Sequence, residues 1–339
     1  MKTACIYHSI DLDGWMSAAI VKHWFVTKVA KGHSYVIDNT RTDRGSNPND
    51  APEITFIGYN YEQPIPDLSE YSHIIMCDIS FSNNGEIAQE MLDLFGMNTL
   101  TDKRFIWIDH HNSAINLYYK NTIDYFIHGS LNVHYAACEL TWMYFFPDES
   151  MPEIVRLLGR YDCFGHKGTD EEQKVLEFQY GARQVINSYK SAYDYLYMSL
   201  NHIPYSPRIE ESIKKSGKAI YKYLCTEAKQ TYNNGFEIIM YLPYKESYDE
   251  SEIHNIKKYK FICINKERFN PINFGIDYHK DGYDGCACFH YANGVWNFSL
   301  YNDNGLVDCS IIAKQFGGGG HKGASGFRIK DIFKIISNV

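Results

Sequence analysis

No apolar run in this 339-residue sequence approaches the ~20 residues a membrane span needs. A basic-then-apolar leader is missing as well, because His8 and Asp11 interrupt the first apolar stretch. There is no C-x-x-C pair: the nine cysteines are odd in number and scattered, with only Cys286 and Cys288 close together. That pattern argues against a disulfide framework or a zinc finger and for reduced thiols. The expectation is a soluble, cytoplasmic protein with no membrane partner. Low-complexity tracts and tandem repeats are absent too, and 45% hydrophobic residues suffice for real cores.

A strongly basic character is also lacking. Net charge is −8, and residues 1–189 carry 14 Lys and Arg against 25 Asp and Glu, while residues 190–339 carry 19 against 16. Duplex binding draws its affinity from many phosphate contacts, and neither half suits that. An acidic first half fits a metal-holding domain, and a mildly basic second half fits a part that meets phosphates.

Short apolar runs alternate with amphipathic segments along the first half. Strands are expected at 3–8, 53–58, 72–78 and 105–108, and helices at 13–28, 84–95 and 133–146. Continuous apolar strands alternating with helices indicate a parallel sheet covered on both faces. Helical character then continues from 151 to 160 and from 172 to 201, until "HIPYSP" at 202–207 breaks it. A long amphipathic helix is expected over 208–230 despite Gly217. Further on, strands are expected at 236–241, 259–264, 285–291 and 295–301, the last two joined by Asn293-Gly294, a strong hairpin signal. Asp308 is placed to cap a short helix to Phe316, and "GGGGHKGASGF" at 317–327 leads to a final strand. The expected organisation is an N-terminal domain over 1–190, a helical linker over 191–230 and a smaller α/β domain with a mixed sheet over 231–339, with a cleft between the domains.

Chemistry gathers at the strand ends of the first half. His8, Asp11 and Asp13 follow the first strand, Asp78 the third, and Asp109, His110 and His111 the fourth; Asp162 closes the helix at 151–160. Ligand sites in open parallel sheets form outside the carboxyl ends of the strands, so these groups are placed to share one crevice. About five carboxylates brought together raise one another's pKa unless a cation intervenes. Mixed imidazole and carboxylate donors suit Mn²⁺, Fe²⁺, Co²⁺ or Zn²⁺, and this many ligands could hold two ions. Taken singly the residues have ordinary readings: Asp78 as a helix cap, Asp162 as a partner of Arg160.

Together, "H-x-x-D-x-D-G" at 8–14, Asp78, "D-H-H" at 109–111 and Asp162 resemble the four motifs of the DHH phosphoesterase superfamily. "GGGGHKGASGF" resembles the glycine-rich signature of the DHHA1 domain that follows in one large branch. The resemblance covers nearly the whole chain and is nearest to the stand-alone nanoRNase-type members. It implies two divalent ions, usually Mn²⁺, with Mg²⁺ or Co²⁺ as alternatives. His8, Asp11 and Asp78 would hold one, and Asp13, Asp78, His110 and Asp162 the other. Asp109 would orient the ligands, and His111 would face the substrate phosphate or leaving oxygen. Gly318, Gly319, Gly320, His321, Lys322 and Ser325 would grip substrate. Two departures stand out. Tyr301 occupies a position where many relatives have Arg; it supplies no charge there but is expected to bind substrate, by stacking on a base or hydrogen-bonding a phosphate. Two residues separate His8 from Asp11 where several relatives have three.

The implied activity is hydrolysis of short single-stranded RNA or DNA oligonucleotides by two-metal activation of water. The alternatives are a cyclic or linear dinucleotide phosphodiesterase, a pyrophosphatase or exopolyphosphatase, and a non-catalytic nucleotide-binding protein. A homodimer is left open.

Overall fold

The structure is a computed structural model that describes residues 2–42, 51–61, 63–83, 86–100, 104–121, 127–202, 207–242 and 256–336. Residues 203–206 of the expected break, and 84–85 at the start of one expected helix, lie outside the described residues. The chain divides into two compact units, residues 1–220 and 221–339.

The first unit is built on a seven-stranded sheet. Its strands are β1 (Lys2–His8), β2 (Tyr35–Ile37), β3 (Thr40–Thr42), β4 (Glu53–Tyr59), β5 (His73–Cys77), β8 (Arg104–Asp109) and β9 (His128–Leu131), in the order β3-β2-β4-β1-β5-β8-β9. A two-stranded ribbon, β6 (Ser82–Asn83) and β7 (Glu86–Ile87), stands apart. Every pairing in the large sheet is parallel except β2 with β3. From β1 the chain builds first toward β4 and later toward β5, so the order reverses at the β1/β5 boundary.

Helices cover both faces. On one, α2 (Gln89–Leu100) and α3 (Asn112–Asn121) bury Met91, Phe95, Ala114 and Tyr118 against Ile6, Met76 and Trp107. Each such large apolar side chain contributes about 1.5–3 kcal/mol by leaving water. On the other face lie α1 (Leu12–Trp24), α4 (Ala137–Phe145), α5 (Glu153–Asp162), α6 (Glu172–Val185) and α7 (Tyr189–Leu200). Because both faces are covered, β1 is buried from Thr3 to His8 and reads as an unbroken apolar run. Helix α8 (Ile209–Asn233) crosses α6 closely, since a Cβ on Gly217 would lie 1.7 Å from the Glu177 carbonyl oxygen.

The second unit has a mixed sheet of β10 (Phe236–Leu242), β11 (Lys257–Asn265), β12 (Gly285–Ala292), β13 (Val295–Tyr301), β14 (Gly319–Gly320) and β15 (Ala324–Ile329). The order is β10-β11-β12-β13-β15-β14, with only β11·β12 parallel. Asn293 and Gly294 turn the β12–β13 hairpin with φ of 54° and 80°, as a type I′ turn requires. Helix α9 (Cys309–Gln315) is capped by Asp308, whose carboxylate accepts from the Ser310 and Ile311 amides, and α10 (Phe333–Ile336) follows.

The α/β class, the mainly parallel first sheet and the mixed second sheet agree with the sequence reading. Several boundaries differ. The helix expected at 133–146 begins at Ala137, and that expected at 13–28 changes from α-helix to a π-helical turn after Trp24. The helix expected at 84–95 starts at Gln89, because 86–87 pair in the ribbon. The helical stretch at 172–201 is two helices, separated where Ser188 caps α7. Residues 35–42, 112–121 and 128–131, assigned no element from sequence, form β2, β3, α3 and β9.

Candidate metal centre

The reversal of strand order leaves the carboxyl ends of β1 and β5 side by side, where ligand sites form in such sheets. His8 is the last residue of β1, Asp78 follows β5, and Asp109 ends β8. The chain then turns sharply at each end. Asp78 adopts φ of 62°, a left-handed backbone that Asp tolerates better than most residues, and its amide donates to the Ile108 carbonyl at 2.9 Å. Such a conformation costs on the order of 1 kcal/mol and points its carboxylate into the crevice.

After His8, Asp11 caps α1 by accepting from the Gly14 amide at 2.9 Å. Gly14 is required there, since a Cβ would lie 2.0 Å from the His8 carbonyl oxygen. Asp11 thereby keeps its second oxygen for His8, 2.8 Å from Nδ1. Within the first turn of the helix, Asp13 is buried and accepts from the Ala137 and Cys138 amides at 2.9 and 2.7 Å. Those amides open α4, whose own cap position is Ala136, a side chain that cannot accept. Asp13 therefore does for α4 what a local Ser or Asp usually does.

Three groupings of donors result, each with ligand atoms within 4.8 Å of one another: His8, Asp11 and Asp78; Asp13, His110 and Asp162; and Asp78, His110 and His111. His110 Nε2 lies 3.2 Å from Asp162, 3.3 Å from Asp78 and 3.6 Å from Asp13. Asp78 faces His8 with its other oxygen, at 3.5 Å, and so stands between the two sides. The shorter spacing between His8 and Asp11 does not keep those residues apart. Asp109 accepts from the backbone amides of His110 and His111 and takes the His111 ring through Nδ1 at 2.7 Å. It therefore orients His111, leaving Nε2 as that ring's other donor or acceptor.

The electrostatics match the crowding. Burial works against a charged His8, yet Asp11 and Asp78 outweigh it and push it up to about 11. His110 is opposed by burial in the same way and pushed up to about 11 by Asp78, Asp13 and Asp162. His111 reaches about 9, burial being outweighed by Asp109. Burial pushes Asp13 up, with Asp78 and Asp162 adding to it. Burial also works against the Asp78 charge, but the imidazoles around it hold its carboxyl well below the usual range.

The residues fit divalent cations. Both Asp78 oxygens and both His8 ring nitrogens are buried without a well-formed hydrogen bond among the described residues, and the donor set is imidazole and carboxylate. Coordination needs neutral imidazoles, so a cation would take the place of the protons that these carboxylates otherwise draw onto His8 and His110.

Arg160 does not pair with Asp162, contrary to one reading of the sequence. Its guanidinium holds the buried Glu139 with two hydrogen bonds of 2.6 and 3.0 Å. Sequence reasoning also missed Tyr61, whose ring centroid lies 6.1 Å from that of His8. No motif flags it. The Asp13–α4 contact did leave a trace, a helix start whose cap position, Ala136, has no side chain able to accept.

In the second unit the glycine run is largely explained by packing. Gly317, with φ of 74°, ends α9 in a Schellman turn: its amide donates to Lys314 and that of Gly318 to Ala313. A Cβ on Gly318 would lie 2.1 Å from the Gly326 carbonyl oxygen, and one on Gly320 2.7 Å from Ser325. Gly319 has open space around it. His321 and Lys322 form an exposed turn closed by the His321 amide on the Ala324 carbonyl at 2.7 Å. Ser325 is buried, and its hydroxyl lacks a hydrogen bond among the described residues. Tyr301 is half-buried against the cluster of Tyr278 and Cys286.

No family model matches the chain. It is 26% identical over 341 residues to an uncharacterized protein of Acanthamoeba polyphaga mimivirus, a match covering 96% of this chain and 67% of that one. Among solved structures, a pGpG-specific phosphodiesterase from Vibrio cholerae matches at 11% identity and a TM-score of 0.42, over 97% of this chain and 93% of that one. An exopolyphosphatase-related protein from Bacteroides fragilis matches at 16% and 0.38, over 97% and 87%. An uncharacterized protein from Helicobacter pylori matches at 14% and 0.29, over 97% and 93%.

Proposed function

We propose that this protein is a metal-dependent phosphodiesterase of the DHH/DHHA1 type that hydrolyses short single-stranded oligonucleotides or dinucleotides. The observation that carries this reading is Asp78. It sits at the strand-order reversal, turned by a left-handed backbone, with one oxygen toward His8 and the other toward His110. A carboxylate so placed could be shared between two cations, one that His8 and Asp11 would help to hold and one that Asp13, His110 and Asp162 would.

Two divalent ions, Mn²⁺ by preference, would supply charge neutralisation at the phosphate and acidify a water. The chain's own residues do the rest. Asp13 holds its side of the site rigid through two amides of α4. Asp109 fixes the His111 ring by Nδ1, and His111 is the side chain that would meet the phosphate or the leaving oxygen. The proposed substrate-binding residues of the second unit are Gly319, His321, Lys322 and Ser325. Gly318 and Gly320 have a packing role first, and Tyr301 has a share in the local apolar cluster.

The test is a hydrolysis panel of short RNA, short DNA, cyclic dinucleotides and pyrophosphate with Mn²⁺. Mononucleotide release from a short oligonucleotide or dinucleotide, faster than orthophosphate release from pyrophosphate, supports the reading. Preferred turnover of pyrophosphate sinks it.

A further inference from the structure

Two loops border the metal centre, and each exposes an aromatic ring beside a cation. The loop at residues 132–136 is tied at both ends to the site. The Asn132 amide donates to the Asp109 carbonyl at 3.2 Å, and the Ala137 amide donates to Asp13. Between these ties Tyr135 is 40% exposed, with the Arg160 guanidinium 5.1 Å from its ring centroid. The second loop follows Asp162 directly. In it Phe164 is 48% exposed, with the Lys167 ammonium 4.7 Å from its ring centroid. Arg160 joins the two loops, because it also reaches the His134 carbonyl at 3.3 Å and lies against Gly165.

Phe164 makes little sense as a stabilising residue. It has φ of 57°, a left-handed backbone that bulky residues rarely adopt and that Gly or Asn adopts easily. An exposed phenyl ring gives back little of that strain through burial. Both disadvantages fall on one residue, two positions from a proposed metal ligand. Strain of this kind clusters where function requires a side chain in one place.

We propose that Tyr135 and Phe164 form a nucleobase-stacking surface at the edge of the metal centre, so that the enzyme selects base-bearing phosphodiesters over bare polyphosphates. The inference rests on the phosphodiesterase reading above. Every base offers a π-face to a flat ring, so such stacking takes any base-bearing ligand and gives nothing to a bare polyphosphate. Tyr301, half-buried in its own unit, is not needed for this task.

The experiment is isothermal titration calorimetry of the full chain with Mn²⁺, using a phosphorothioate-bridged diadenosine dinucleotide and its abasic counterpart. Wild type should bind the base-bearing ligand at least about tenfold more tightly, the effect of one stacked base. Phe164→Gly and Tyr135→Ala should each erase about tenfold of that preference and leave abasic binding unchanged. Phe164→Gly should not lower Tm, because it relieves the backbone, and Phe164→Tyr should retain affinity. Equal wild-type affinity for both ligands overturns the proposal. Equal loss of both ligands in the variants also overturns it, as does a change of oligomeric state with affinity untouched. Base-dependent binding without hydrolysis of the unmodified dinucleotide would support the stacking surface and remove the phosphodiesterase reading. Hydrolysis without base preference would do the reverse.

Discussion

The carboxylate of Asp13 accepts hydrogen bonds from the Ala137 and Cys138 amides, 124 and 125 residues away. A single buried side chain thus caps α4 and faces His110 across the site at 3.6 Å. Its replacement should be felt twice. Asp13→Ala should lower unfolding free energy by about 1–2 kcal/mol, the range for a lost cap, in urea titrations of the metal-free protein. It should also weaken the ion held by His110 and Asp162. Asp13→Asn keeps one acceptor oxygen and should recover part of the stability but little of the metal affinity.

A different prediction concerns acid stability. Arg156 bridges Glu153 and Glu171, and Lys174 joins Glu153 at 2.5 Å. Burial opposes the Glu153 charge, but Arg156 and Lys174 prevail and hold its carboxyl down to about 2. A depressed carboxylate contributes stability that is fully present above its unfolded pKa, near 4.5, and is lost as pH falls toward the folded value. The group is partly exposed, so solvent screening reduces the effect to about 1 kcal/mol. Urea midpoints measured from pH 6 down to pH 3 should fall more steeply for wild type than for Glu153→Gln.

Gly217 gives a prediction whose sign is opposite to propensity. In an exposed helix interior Gly→Ala would stabilise by about 1 kcal/mol. Here an added Cβ would lie 1.7 Å from the Glu177 carbonyl oxygen and 2.5 Å from the Gly181 nitrogen. Gly217→Ala should therefore destabilise by about 1–3 kcal/mol, the range for overpacking, as read from the urea midpoint.

The same glycine shows what the sequence could and could not convey. Within one segment it looks like a flaw in α8; only the crossing with α6 gives it a purpose. Strands β1, β5 and β8 were readable because burial on both faces makes them continuous apolar runs. The β12–β13 hairpin and the Asp308 cap were readable because Asn-Gly and Asp act locally. Strand β9, "HGSL", has no apolar pattern and exists by pairing with β8, where Gly129 lies against the Trp107 backbone. In the site, groups at strand ends were legible from the rule for parallel sheets. The Asp13 contact with α4 and the Arg160 pairing with Glu139 were not, since each joins residues that only tertiary packing brings together.

The central claim is that Asp78 is shared by two cations. Mn²⁺ titration of the metal-free protein, followed by electron paramagnetic resonance, tests it most directly. Wild type should take up two Mn²⁺ per chain with a spin-coupled spectrum from ions ~3.5–4 Å apart. Asp78→Ala should weaken both sites and abolish the coupling, while its circular dichroism stays that of wild type. Two tightly bound, coupled ions in Asp78→Ala would contradict the account.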